Sequence, residues 1–205
     1  MIKINSQKKP KALLIWLHGL GADANDFVTF LNNLDLKDIE FILPNAPLRP
    51  ITMNNGSVMR GWYDIKSFSF EYQDNDGLNE SKLFIENLIK ERCAVLTSKF
   101  KIFLGGFSQG AALSLYTGLS SNLKIDGIIS LSGYLPRIMH IKNVDETPII
   151  AIHGDGDDII NINIAKKSYV EILKSTSFSF KSYNMAHEVI YDEIEDIKNF
   201  LIENI

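Results

Sequence analysis

The chain reads as short apolar runs set between longer amphipathic stretches, and that rhythm constrains its fold more than any other feature. The runs are Ala12–Leu17, Ile39–Leu43, Ile102–Leu104, Ile125–Leu131, Pro148–Ile152 and Phe178–Tyr183. Most are near-continuous in Val, Ile, Leu and Phe, the pattern that strands buried on both faces need. Phe178–Tyr183 alternates instead and is predicted at a sheet edge. Helices are predicted over Leu78–Leu96, with Leu83, Phe84, Leu88 and Cys93 near helical spacing, and over Gln109–Leu119 and Ile162–Lys174. A last one is predicted over Val189–Ile205, where Ile190, Ile194, Ile197, Leu201 and Ile205 form one stripe. Strands alternating with helices imply βαβ crossovers and a mostly parallel sheet flanked by helices.

One segment breaks the rhythm. Pro47–Asp76 holds two prolines in four residues, then Asn54-Asn55-Gly56, then Trp62, Tyr63, Phe68, Phe70 and Tyr72. So long an aromatic-rich connection is expected to pack over something. The 205 residues favour one domain, and 45% apolar with 22% charged residues excludes intrinsic disorder. The net charge of −4 argues against a nucleic-acid binder. The lysines among the first eleven residues and the acids of Glu188–Glu203 read as solvated surface. The single Cys93 rules out an intrachain disulfide or a Cys-rich zinc site. It reads as core packing and fits a reducing compartment, expected to be the cytoplasm. Lys8, Lys9 and Lys11 before Ala12–Leu17 mimic a signal peptide, but the apolar run falls below the usual minimum of about seven. No run approaches the roughly 18 apolar residues of a membrane-spanning helix.

The chemistry concentrates at Gly105-Gly106-Phe107-Ser108-Gln109-Gly110. This G-x-S-x-G lies directly after a predicted strand and before a predicted helix, the strand–turn–helix that a nucleophile elbow requires. The turn is so sharp that side chains two before and two after the serine would strike neighbouring backbone. The helix N-terminus behind the serine offers free N–H groups to a developing oxyanion. A serine hydroxyl needs a base. In the order Ser, acid, His, only His187 has both the position and an acid-bearing strand end between it and Ser108. His18 then shapes a loop, and His153 is structural. The acid comes from His153-Gly154-Asp155-Gly156-Asp157-Asp158, where composition leaves three aspartates open. A metal site there is disfavoured because the spacing misses the calcium-loop register. Leu17-His18-Gly19-Leu20-Gly21 follows the first strong strand, so the oxyanion donors are expected to be the backbone N–H groups of Leu20 and Gln109. Gly19–Ala24 also fits G-x-G-x-x-A, but the acid that a dinucleotide site needs after the next strand is missing.

Five motifs in order resemble the acyl-protein thioesterase/carboxylesterase family of small, bacterial-type α/β-hydrolases. They are Leu17–Asp23, Pro44-Asn45-Ala46-Pro47, Gly61-Trp62-Tyr63-Asp64-Ile65, Gly105–Gly110 and His153–Asp157, and the resemblance runs from about residue 10 to 203. It implies an α/β-hydrolase fold forming a single domain over 1–205, without a separate lid domain. It also implies Ser108 as nucleophile and His187 as base, and it selects Asp157 as the acid. The reaction implied is cleavage of carboxylic esters or acyl thioesters, including acyl groups on lipid-modified proteins, by a monomer or homodimer. No cofactor and no metal are implied, nor any nucleic-acid partner. Departures occur at Ala111, at Asp158 and around Met185-Ala186-His187-Glu188. Met53, Val58, Met59, Trp62, Phe68 and Phe70 are candidates for an apolar cover over the acyl chain, the plainer alternative being a plug for the sheet edge. The rivals are a same-fold hydrolase of lysophospholipids, lactones or peptides, and a non-catalytic binding module.

Overall fold

The computed structural model describes all residues except 68–71, 96–99, 139, 143 and 176. Nine strands are present among the described residues: β1 (Ile2–Ile4), β2 (Ala12–Leu17), β3 (Ile39–Leu43), β4 (Leu48–Ile51), β5 (Ser57–Arg60), β6 (Lys101–Phe107), β7 (Gly127–Leu131), β8 (Ile149–Gly154) and β9 (Phe178–Tyr183). Seven form one sheet in the order β1-β3-β2-β6-β7-β8-β9, in which β1 is antiparallel and the rest are parallel. The near-continuous apolar runs became the inner strands. The alternating run became β9, which lies at the edge with Ser179, Lys181 and Ser182 exposed.

The helices are α1 (Val28–Asn33), α2 (Asn75–Val95), α3 (Gln109–Ser120), α4 (Ile162–Ser168) and α5 (Asp192–Asn204). They cover both faces of the sheet, as the side-chain alternation of β2 requires. Leu13, Ile15 and Leu17 pack into one cluster with residues of α2, α3 and α4. Ala12, Leu14 and Trp16 pack into the other with residues of α1 and α5.

Two expectations about α2 need correction. Its buried positions are Gly77, Leu78, Ser81, Ile85 and Ile89, whereas Leu83 and Phe84 are 56% and 42% exposed. The helix carries apolar residues on two sides, and contact with α3 decides which side is buried. Cys93 is exposed, not in the core, because the last turn of α2 is exposed at 91 and 93–95 and runs past the packed layer.

Sequence reasoning also missed β1, α1 and a hairpin inside the aromatic segment. Strands β4 and β5 pair antiparallel, and Asn55 and Gly56 at the bend both have positive φ (54° and 74°). Asn and Gly are the residues that adopt that backbone at least cost.

Helix α5 begins on an unusual group. Glu193 is fully buried, and its Oε2 accepts the N–H of Ile190 at 2.7 Å, while Oε1 has no partner. Burial, aided by the charges of Asp196 and Glu188, pushes its carboxyl up to about 7. Between the ordinary carboxylate pKa and pH 7, the folded chain therefore keeps a proton that the unfolded chain has lost, so stability falls as pH rises. Glu193→Gln keeps an acceptor for Ile190 and removes this penalty. Chemical denaturation should show it equal to the wild type near pH 4 and more stable above pH 7, by at most roughly 3 kcal/mol. An unchanged pH dependence would contradict this.

Candidate active site

The chain order changes side between β3 and β6: β3 lies on one side of β2 and β6 on the other. Open α/β sheets form their binding crevice at such a switch, beyond the C-terminal strand ends. Four chemistry-bearing segments emerge there, after β2, β6, β8 and β9.

After β6, Ser108 is held at φ 55°, ψ −118°, a strained conformation for a non-glycine residue, and α3 starts at the next position. The flanking glycines are explained by distance. A Cβ on Gly106 would lie 2.5 Å from the Leu17 carbonyl oxygen, and one on Gly110 would lie 2.1 Å from the same atom. Both must lack a side chain for the turn to fit under the end of β2.

The serine faces a relay. The Ser108 Oγ lies 2.9 Å from His187 Nε2, and His187 Nδ1 lies 2.7 Å from Asp157 Oδ2. Asp157 is 3% exposed, whereas Asp155 and Asp158 are exposed, so the fold itself separates the three candidates. The other Asp157 oxygen, Oδ1, accepts the N–H groups of Ile159 and Ile160 at 2.9 and 2.8 Å. His153 donates through Nε2 to the Ile160 carbonyl at 2.7 Å and approaches Asp157 Oδ2 at 3.2 Å. Burial holds its pKa below the ordinary value, which keeps it neutral in a supporting position. The acid loop and the histidine loop touch directly. Gly156 donates to the Met185 carbonyl at 3.1 Å, and a Cβ on Gly154 would lie 2.3 Å from the Ala186 carbonyl oxygen.

Leu20 and Gln109 line the same cavity as Ser108 and His187. Gln109 opens α3, so its backbone N–H belongs to the first turn, which has no intrahelical acceptor. The Leu20 loop is fixed by Gly21 donating to the Arg60 carbonyl at 2.8 Å. His18 beneath it donates from Nδ1 to the Gly19 carbonyl and accepts at Nε2 from the Ala46 N–H. Burial lowers its pKa, and a neutral ring suits that donor–acceptor pair.

The candidates for the apolar cover divide. Met53 lines the cavity, which encloses about 610 Å³. Met59 does not; its Sδ packs near Gly21 and accepts from the Asn54 amide. Val58 is exposed at the hairpin. Trp62 does not line the cavity either. It is fully buried, with its indole N–H donating to the His18 carbonyl at 2.9 Å, and acts as a strut beneath the Leu20 loop. The Gln109 side chain completes that strut, accepting the Trp62 N–H at 3.0 Å and donating to the Tyr63 carbonyl at 2.7 Å. Phe68 and Phe70 lie outside the described residues. Sequence reasoning missed Phe27, Phe30, Phe107, Tyr134, Ile159 and Val189, which line the cavity from five different segments. No local motif connects them.

Residues 2–205 match the phospholipase/carboxylesterase family. The chain belongs to that family. Acyl-protein thioesterase 1 of Yarrowia lipolytica is 34% identical over 219 residues, covering 100% of this chain and 96% of its own length. Acyl-protein thioesterase 1 of Saccharomyces cerevisiae is 36% identical over 205 residues, covering 92% and 90%. The crystal structure of Zea mays acyl-protein thioesterase 2 superposes with a TM-score of 0.89 at 26% identity, over 99% of this chain and 97% of that one. The α/β-hydrolase fold expected for a phospholipase/carboxylesterase chain is thereby established. No helix among the described residues is long and apolar enough to cross a membrane.

Proposed function

We propose that this member of the phospholipase/carboxylesterase family is a serine hydrolase that cleaves carboxylic esters and acyl thioesters through an acyl-enzyme. The observation that carries the reading is the relay of Ser108, His187 and Asp157 at 2.9 and 2.7 Å, at the head of an apolar cavity. His187 takes the Ser108 proton as the oxygen attacks the acyl carbonyl. Asp157 fixes the imidazole with its proton on Nδ1 and balances the cation that forms. The N–H groups of Leu20 and Gln109 hold the tetrahedral oxyanion. His187 returns the proton to the departing alcohol or thiol, and then activates the water that releases the acid.

Residues 47–76 serve as the substrate cover in this reading, supported by Met53 and Ile65 on the cavity wall. The names of the curated relatives support an acylated protein as one substrate class. The cytoplasm is the proposed setting, since a lone exposed thiol suits a reducing compartment. A fluorophosphonate probe tests the central claim, because only an activated serine reacts with it. One equivalent of label at Ser108, with turnover of aryl esters and acyl thioesters, is the expected result. Unlabelled, inactive pure protein would overturn the reading.

A further inference from the structure

Apart from His187 and Tyr134, the described ionisable residues that line the cavity are both acidic, and they stand next in the chain to members of an aromatic run. Four rings follow one another there: Phe30 to Phe27 at 5.8 Å, Phe27 to Phe107 at 5.8 Å, and Phe107 to His187 at 4.8 Å. Asp26 and Glu188, the chain neighbours of Phe27 and His187, also line the cavity. Both are exposed, and neither has an ion-pair partner among the described residues. One Glu188 oxygen accepts the Ala186 N–H at 3.3 Å, and the other is free to face a ligand. No lysine or arginine lines the cavity among the described residues. Apart from Ser108, Gln109 and Tyr134, the rest of the lining, including Met53, Ile65 and Ile159, is apolar.

Aromatic faces beside carboxylates, with no cation to neutralise them, are the chemistry that recognises an alkylammonium group. The cation is drawn to the ring faces and to both negative charges, while its methyl groups suit the apolar surroundings. Resting on the hydrolase reading above, we infer that the enzyme's preferred substrates carry an alkylammonium group beside the scissile acyl bond, seated among Phe27, Phe30, Phe107, Asp26 and Glu188. The acyl chain takes the apolar remainder of the cavity. An anionic group at the same position is repelled by the two carboxylates.

The test compares butyrylcholine with 3,3-dimethylbutyl butyrate, an uncharged ester of the same shape, by kcat/KM at low ionic strength. Two exposed carboxylates and a ring contact together give an expected preference of about tenfold for the cation. The preference should shrink at 0.5 M salt, where exposed charges are screened. In Asp26→Asn/Glu188→Gln it should fall to about threefold, the share left to the rings. The pair Glu146→Gln/Glu203→Gln, both exposed and neither lining the cavity, removes the same net charge and should leave the preference intact. A wild-type ratio near one, a ratio unmoved by the Asp26/Glu188 substitutions, or no cleavage of the choline ester while an aryl butyrate is cleaved would overturn the inference. Failure to cleave any of these esters, with no fluorophosphonate label, would instead overturn the hydrolase reading on which it rests.

Discussion

Ser108→Ala should reduce ester turnover by about 10⁶, to the level that binding and the oxyanion donors alone support. The loss is expected to be chemical and not structural. The hydroxyl's hydrogen bond is to His187, and alanine keeps the Cβ. The turn is set instead by the two glycines against the Leu17 carbonyl and by Ser108 donating its own N–H to the Leu131 carbonyl at 2.8 Å, both of which alanine preserves. Thermal denaturation should place the variant close to the wild type, with fluorophosphonate labelling gone. Substantial turnover in pure variant protein would refute Ser108 as nucleophile.

The second large effect is expected at Asp157→Asn, about 10⁴ in kcat. Both ways of placing the new amide are poor. With its oxygen kept on the Ile159 and Ile160 N–H groups, the amide nitrogen faces His187 Nδ1 and His153 Nε2. A donor there forces the His187 proton onto Nε2, the atom that must accept from Ser108. With the amide reversed, two backbone N–H groups face a donor at a buried site, which costs stability as well. Single-turnover kinetics separates the two consequences, since an acylation defect appears even in folded variant. Asp155→Asn and Asp158→Asn are expected to stay near wild-type rates, as both side chains are exposed. A comparable loss at either would transfer the acid role away from Asp157.

Much of this architecture could be read locally. A run such as Ala12–Leu17 has no polar face to offer water, so it is buried on both sides wherever the chain puts it. The alternation in Phe178–Tyr183 marks a strand with one wet side for the same reason. The elbow was legible because its G-x-S-x-G spacing falls within five residues, although the carbonyl that Gly106 and Gly110 must clear belongs to Leu17 on β2. Errors arose where burial is decided by distant partners. On α2 the apolar residues fall on two faces, and only contact with α3 shows that Ile85 and Ile89 go inside while Phe84 and Cys93 stay out. Trp62 was open between a cover over the acyl chain and a plug for the sheet edge, and its indole donates to the His18 carbonyl beneath the Leu20 loop.

By itself, the sequence determined the inner strands and the sharp turn at Ser108, which follow from patterns within a few residues, and the candidate groups for acyl transfer, which follow from their order along the chain. It left the three aspartates of the 155–158 loop equivalent until family likeness chose among them. The tertiary structure separates them physically, by burying Asp157 alone of the three and setting its Oδ2 2.7 Å from Nδ1 of a histidine 30 positions away. It also decided the cavity, whose wall is assembled from segments as distant as Phe27, Met53, Tyr134 and Val189. Packing of the sheet and its loops brings such residues together, and no periodicity in one dimension encodes that meeting.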